Sequence, residues 1–333
     1  MQTHNHHLAP VKLRRRQFLG MLGALGMTAG FPALAQQDRP ITLILPLSPG
    51  SGVDTIMRSA TQAWSQAAGH TVVVENKPGA GGIVGTSALV RSAPDGYTLG
   101  AVSNNHVIFP SVYKSVPFDP IKDVTPISVI GTTPLLLVVN PRRLPAQNVQ
   151  ELVSLLKAKP GAYNYASSGN GTILHLAAEM FNHLAGVQAR HIPYKGSGPM
   201  TTALLGGEVD YGVLSLPPTL PHLKSGALHA VGNGGASRTP SLPELPTIAE
   251  QGLAGYEMEG WFAAIAPAGL PQDKVELTYQ NLKEAFADAK VKESMNAQGN
   301  TIKLVPPADT AAYFASELKK YALVVKQAGI QRM

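Results

Sequence analysis

Four times in 333 residues a short β-rich run passes through a loop of Gly, Ser, Pro and Asn into the start of a helix: ILPLSPGSGVDTIMR (44–58), VENKPGAGGIVGTSA (74–88), YASSGNGTILHLAAE (165–179) and IPYKGSGPMTTALL (192–205). A strand that feeds a helix at its carboxyl end is half of a crossover unit, so the repeat predicts parallel pairing with helices packed on the sheet faces. The loops also carry chemistry. The first N–H groups of a helix have no partner inside it and sit at the positive end of the macrodipole, which stabilises a carboxylate or phosphate without any Lys or Arg. Small residues let a ligand reach that backbone, and Thr172 is placed to cap the helix that follows 168–171. One such loop is an ordinary tight turn. Four in one chain point to a cleft lined with main-chain donors.

In chain order, ITLIL, TVVVE and YTLGAVS alternate with helical segments from residue 41 onward, which argues an α/β sheet. LLLVVN (135–140) reads as a strand, and Asn148-Val149-Gln150-Glu151 as a capping box that opens a helix carrying Leu152, Leu155 and Leu156. A second β/α series follows through YNYAS, the Thr172 helix, ARHIPY, the Thr201 helix and VDYGVLS, and LHAVGNG (228–234) leaves it. Two β/α units separated by LLLVVN and LHAVG predict two lobes with two crossings: 36–138 plus 233–333 as one, 139–232 as the other. The C-terminal third is Pro- and Gly-punctuated up to WFAAIAPAGLP. It then turns helical, with Asp273 to Glu276 as another capping box, Val275, Tyr279, Leu282 and Phe286 at helical spacing, and a last helix from near Asp309 that places Phe314, Leu318, Tyr321 and Val325 on one face. Those stripes are core.

The first 35 residues stand apart. Arg15-Arg16-Gln17-Phe18-Leu19 is a twin-arginine export pattern, followed by a Gly-softened apolar run over 20–31 and Ala33-Leu34-Ala35 as a cleavage site. The run is too short for the ~20 apolar residues of a bilayer-spanning helix. Cleavage after Ala35 removes Lys12, Arg14, Arg15 and Arg16 but no acid, which leaves 23 of the 27 basic residues against 21 acidic ones. A net charge of about +2 makes no case for nucleic acid or an anionic membrane as partner. His4, His6 and His7 leave with the leader. The chain has no Cys, so disulfides, thiolate metal sites and a lipidated cysteine are excluded. The expectation is an unanchored periplasmic protein, monomeric, with 44% hydrophobic and 14% charged residues supporting a large core.

Enzyme motifs are fragmentary. Gly79 to Gly85 has G-x-G-x-x-x-G spacing, not the dinucleotide fingerprint, and Ser111-Val112-Tyr113-Lys114 and Ser154-Leu155-Leu156-Lys157 fit S-x-x-K without the partner motifs of an acyl-enzyme site. There is no G-x-S-x-G and no H-E-x-x-H. His175 and Glu179, one turn apart, suit a metal or an acid/base pair, but a packed histidine is the favoured reading. Asp54, at the start of the first helix, either complements the dipole or meets a ligand's amide or ammonium group. Asp210 either stabilises a turn or contacts a ligand. The alternative function, a dinucleotide-dependent or hydrolytic periplasmic enzyme in the same cleft, lacks a nucleophile–base–orienter set.

ENKPGAGG, APDGYTL, NYASSGNGTILHLAAEMF, HIPYKGSGP, LLGGEVD, LPTIAEQGLAGYE and WFAAIAPAGLP, in this order, resemble the periplasmic solute receptors of tripartite tricarboxylate transporters, the Bordetella uptake gene family. The resemblance runs from about residue 41 to the C-terminus. It implies a two-lobed α/β fold of the type II, Venus-flytrap kind. A small carboxylate (a di- or tricarboxylate, an acidic amino acid or an aromatic acid) would be held between the lobes by loop backbone and hydroxyl groups, without a cofactor, and passed to integral membrane subunits of the transporter. Carried over, the site comprises Pro49, Gly50, Ser51 and Asp54 of the first loop, Gly81 and Gly82 of the second, Ser103 and Asn104 at the end of the third strand, and Ser168, Gly169, Asn170, Gly171 and Thr172 of the opposing lobe; Asp210 joins them as a candidate from the residue-level reading. The family's first loop usually reads Pro-Phe, then Gly-Gly, then Asp. Here Leu47 replaces the Phe and Ser51 the second Gly, so an aromatic wall is lost and a hydroxyl gained.

Overall fold

A computed structural model describes residues 39–333; the expected leader, its cleavage after Ala35 and the three N-terminal histidines lie outside them. Numbered along the chain, β1 (Ile41–Leu45), β2 (Val72–Asn76), β3 (Thr98–Ser103), β4 (Val124–Thr133), β10 (Gly260–Pro267) and β11 (Thr301–Ile302) form one sheet in the order β11-β4-β10-β3-β1-β2. The second sheet, β7-β6-β8-β5-β9, contains β5 (Leu135–Val139), β6 (Asn164–Ser167), β7 (Arg190–Pro193), β8 (Tyr211–Ser215) and β9 (His229–Asn233). The β/α alternation accounts for the parallel part of each sheet: β1 pairs parallel with β2 and β3, and β6 with β7 and β8. Both sheets are nevertheless mixed, because β10 runs antiparallel between β3 and β4, and β5 antiparallel between β8 and β9.

The chain passes between the sheets twice. It goes from β4 to β5 through Pro134 alone, so the second sheet already begins at Leu135, and it returns from β9 to β10 over residues 234–259. The two passages are bonded to each other: Gly234 N–H donates to the Leu135 carbonyl at 2.7 Å, and Met258 N–H to the Gly234 carbonyl at 2.7 Å. A Cβ at Gly234 would stand 2.7 Å from the Met258 carbonyl oxygen, so only glycine admits this approach.

Helices cover the sheets: α1 (Gly52–Ala68), α2 (Ile83–Val90), α3 (Asn105–Val112), α4 (Val149–Ala158), α5 (Ile173–Ala185), α6 (Ser197–Gly206), α7 (Leu216–Lys224), α8 (Gln272–Ala287), α9 (Ala289–Ala297) and α10 (Pro307–Gln327). Their ends follow local chemistry. Ser51 caps α1, Asn148 caps α4 with Glu151 reaching back to the Gln147 N–H at 2.8 Å, and Thr172 caps α5. The capping box expected at Asp273 does not form. Pro271 occupies the cap position, so Asp273 falls inside the first turn, where its charge complements the dipole.

β10 divides the core by period two: Trp261, Ala263 and Ile265 join the cluster that includes β5, α4 and α5, while Phe262, Ala264 and Ala266 join the cluster under α1 and α8. Val275, Leu282, Phe286, Phe314, Tyr321 and Val325 are buried as their spacing predicted. Among the described residues no helix is long and apolar enough to cross a membrane.

Candidate functional site

Six strands of the two sheets end at one place. The loops after β1, β2 and β3 in the first sheet and after β6, β7 and β8 in the second line a cavity of about 600 Å³. Ligands bind outside the carboxyl ends of strands in open α/β sheets for the reason that brings these loops here: each delivers a helix N-terminus. The walls of the cavity, at the passage between the sheets, are Thr133, Leu135, Gly260 and Trp261.

The open donors can be identified individually. In the first turn of α1, Asp54 N–H donates to Ser51 Oγ at 3.3 Å, whereas the N–H groups of Gly52 and Val53, both on the cavity wall, have no acceptor among the described residues. In α5, His175 N–H donates to Thr172 Oγ1 at 3.3 Å and Ile173 N–H to Asn105 Oδ1 at 2.8 Å, which leaves Leu174 N–H open at the cavity. The free donors of that turn are therefore fewer than the loop pattern alone suggests. Two wall residues also carry hydroxyls, Ser48 Oγ and Thr133 Oγ1, that have no hydrogen-bond partner among the described residues, but both oxygens are fully covered and add no donor to the cavity as it stands.

Of the fourteen residues expected at the site, Ser51, Gly81, Gly82, Ser103, Asn104, Ser168, Gly169, Asn170 and Thr172 line the cavity, and Pro49, Gly50, Asp54, Gly171 and Asp210 do not. The two acids stay off the wall because neighbouring donors occupy them. Asp54 accepts from Gly50 N–H at 2.9 Å, Arg58 Nε at 3.0 Å and Asn76 Nδ2 at 2.9 Å. These three bonds hold the first loop in shape. Asp210 accepts from Asn164 N–H at 2.7 Å and Arg143 Nε at 3.2 Å, pinning β8 to the start of β6. Asn104 lines the wall but offers it nothing, since its amide receives Trp261 N–H at 2.8 Å and donates to Glu259 O and Tyr321 Oη at 3.1 and 2.6 Å. Thr172 is also occupied: its hydroxyl donates to Gly169 O at 2.8 Å and accepts from Ser168 Oγ at 3.1 Å.

Sequence reasoning missed Asn105 and Tyr113, which tie the loops of opposite sheets together. Asn105 Nδ2 donates to Gly81 O at 2.9 Å while its Oδ1 receives Ile173 N–H, and Tyr113 Oη donates to Asn170 O at 2.8 Å. It also missed Thr133, Ser215, Tyr194, Lys195 and Trp261. Only the position of Asn105 at a strand end, beside Asn104, offered a signal. Glycine makes the closest approaches possible: a Cβ at Gly196 would lie 2.4 Å from Ser48 Oγ, and one at Gly52 2.8 Å from Ser215 Oγ.

His175 and Glu179, both on α5, are not on the cavity wall. His175 Nδ1 accepts Gly171 N–H at 3.2 Å, Tyr165 donates its phenol to Glu179, and the His175 and His191 rings stack with centroids 4.1 Å apart. Burial opposes ionisation of Glu179, yet His175, whose Nε2 lies 3.6 Å away, and the hydrogen bond from Tyr165 outweigh it and hold the carboxyl below its usual range. Burial first, then the charge of His175, pushes His191 down to about 4. His191 Nε2 and Ser167 Oγ are 2.6 Å apart, and Ser167 Oγ receives Gly169 N–H, so the cluster braces the 168–171 loop from behind. No group of three or more His, Cys, Asp or Glu among the described residues could hold a metal.

Residues 56–330 match the family model described as "Tripartite tricarboxylate transporter family receptor". Protein BugT of Bordetella pertussis is 35% identical over 319 residues, covering 94% of this chain and 98% of the relative. The solved structure of the periplasmic binding protein BugD superposes with a TM-score of 0.85 at 31% identity, over 89% of this chain and 99% of that one. R. palustris Rpa4515 with adipate gives the same TM-score of 0.85, also at 31% identity, with 89% and 99% coverage.

Proposed function

The chain belongs to the tripartite tricarboxylate transporter receptor family, and we propose that it is a periplasmic receptor that captures a small carboxylate in the cavity between its two sheets and delivers it to the membrane subunits of such a transporter. The observation that carries the reading is the set of open donors: N–H groups of Gly52, Val53 and Leu174 at two helix starts from opposite sheets. A carboxylate presents two oxygens with about four acceptor sites and nothing to donate, which is the complement of that set. Adipate in Rpa4515 is the kind of molecule meant.

The lobes expected as 36–138 plus 233–333 and 139–232 are proposed with their first boundary at Pro134, where the two sheets divide, and would close on the ligand about the paired passages at Pro134 and Gly234, because contacts from both sides exist only when the loops meet. The protein is proposed to be exported, cut after Ala35, monomeric and without turnover. Among the described residues the cavity wall holds no His, Asp or Glu to act as general base, which favours binding over chemistry. The test is a thermal-shift screen of the mature protein against carboxylates, dinucleotides and neutral controls, with the ligand recovered and analysed afterwards. A carboxylate at a hundred times its Kd stabilises by about 2.7 kcal/mol and comes back unchanged. Stabilisation by NAD or FAD alone, or conversion of the ligand, would favour an enzyme instead.

A further inference from the structure

α3 joins the two sides of the cavity, and its end is held from outside. Asn105 in its first turn bonds Gly81 O and Ile173 N–H, and Tyr113, just past its last residue, donates to Asn170 O at 2.8 Å. Burial pushes the Tyr113 phenol up, so it stays a donor at neutral pH. Val112 meets the same loop: a Cβ at Gly171 would lie 2.6 Å from its Cγ1. Eight residues with Pro110 among them make a helix too short to be stable by itself, so what packs on its ends decides where they stand. Its last carbonyls have no partner within the helix and lie at the negative end of the dipole. Residues 330–333 supply what they lack. Arg332 Nη2 donates to Pro110 O at 2.6 Å and to Tyr113 O at 3.0 Å, Met333 N–H donates to Val112 O at 2.8 Å, and Lys114 N–H returns to Met333 O at 2.8 Å.

Local chemistry brings those residues there. α10 packs against α3, and beyond its end Gly329 takes a φ of +66°, a turn that suits glycine, while Ile330 N–H bonds back to Val325 O at 3.1 Å. Ile330 packs on the main core cluster, and the chain so reversed reaches the end of α3. None of residues 330–333 is on the cavity wall, whereas Tyr113 is. The loop that Tyr113 holds contains Gly169 and Gly171, both at positive φ, so its own backbone restricts it little and outside bonds place it. Leu174 N–H, the open donor of that side, follows directly after it. We infer that residues 330–333 are positioning residues for the carboxylate site: they hold the end of α3 so that Tyr113 stays bonded to Asn170, and through that bond they keep the 168–172 loop against the loop after β2. This rests on the receptor reading and adds to it a point of control outside the cavity.

A double-substitution cycle on the mature protein tests it: removal of residues 331–333, Tyr113→Phe, and the two together. Tyr113→Phe keeps the ring on the wall and deletes only the donor. Binding of adipate and of malate is measured by calorimetry, and amide hydrogen exchange over 168–174 is measured with no acid present. Each single change acts on the same hydrogen bond, so each is expected to weaken binding and to speed exchange of the loop about fivefold, and the pair to do no more than either alone. Arg332→Ala takes the place of the removal if the shortened chain does not fold. Binding or exchange left unchanged by the removal, or losses that multiply in the double variant, overturn the inference and leave the receptor reading standing. If neither acid binds the wild type while another carboxylate does, exchange decides by the same two criteria. If no carboxylate of any kind binds, the receptor reading falls and the positioning role falls with it.

Discussion

At the scale of single residues, the main lesson is that a polar side chain in a binding loop can serve the loop instead of the ligand. Asp54 has the position expected of a ligand contact, yet three donors from its own lobe surround it. Removing its charge by Asp54→Asn weakens charge-assisted bonds at a site 4% exposed, so a loss of about 1.5–3 kcal/mol of stability is expected; the half-exposed Arg58 adds little. Carboxylate affinity of the folded variant should change by less than threefold, because the side chain is not on the wall. Asn105→Ala is expected to behave in the opposite way. It leaves the Gly81 carbonyl and the Ile173 N–H unpaired at the meeting of the loops, and should weaken carboxylate affinity about tenfold, or 1.4 kcal/mol. Chemical denaturation and calorimetry on both variants separate the roles. Equal affinity losses would contradict the division drawn between them.

At the scale of elements, what was legible in the sequence is what local chemistry writes. Asn148 and Thr172 cap helices as their spacing indicates, and the strand–loop–helix repeats place four of the six loops at the cavity. The third strand was also read, and with it Ser103 and Asn104. The two longest strands of the first sheet were not. β4 contains Pro126 and Gly131, and β10 begins with Gly260 and ends with Pro267, which reads as loop punctuation. Their pairing explains the tolerance: the register shifts twice along β10, and Pro126 stands opposite Ile265 at one of those irregularities. A bulge is a property of two strands together, so neither sequence segment shows it. The same holds for Asn105 and Thr133, whose roles depend on which residues lie opposite. The hydrophobic stripes of α8 and α10 were readable because burial repeats every turn, whereas the Asp273 capping box failed through a competing signal in the same stretch, Pro271.

At the scale of the whole molecule, acid should destabilise the fold before it removes a ligand's charge. Burial pushes His106 down to about 4, with Nε2–H on the Pro120 carbonyl at 2.7 Å and Nδ1 unpartnered, and His191 is also pushed down to about 4. Both are neutral when folded, while in the unfolded chain they take up protons below about 6.5. The unfolded state therefore binds more protons, and the stability these groups contribute is fully present above about pH 6.5 and lost as pH falls toward 4. The denaturant midpoint is expected to fall between pH 7 and pH 5 at constant ionic strength, and a midpoint unchanged over that range would refute the assignment. The central claim is the capture of a carboxylate by main-chain donors from both sheets. It is tested most directly by a crystal structure of the mature protein grown with the tightest acid from the screen. The account predicts density between the loops after β1 and β6, with carboxylate oxygens about 2.7–3.2 Å from the N–H groups of Gly52, Val53 or Leu174, directly or through one water. An acid bound at full occupancy anywhere else, with this cavity holding only solvent, would contradict it.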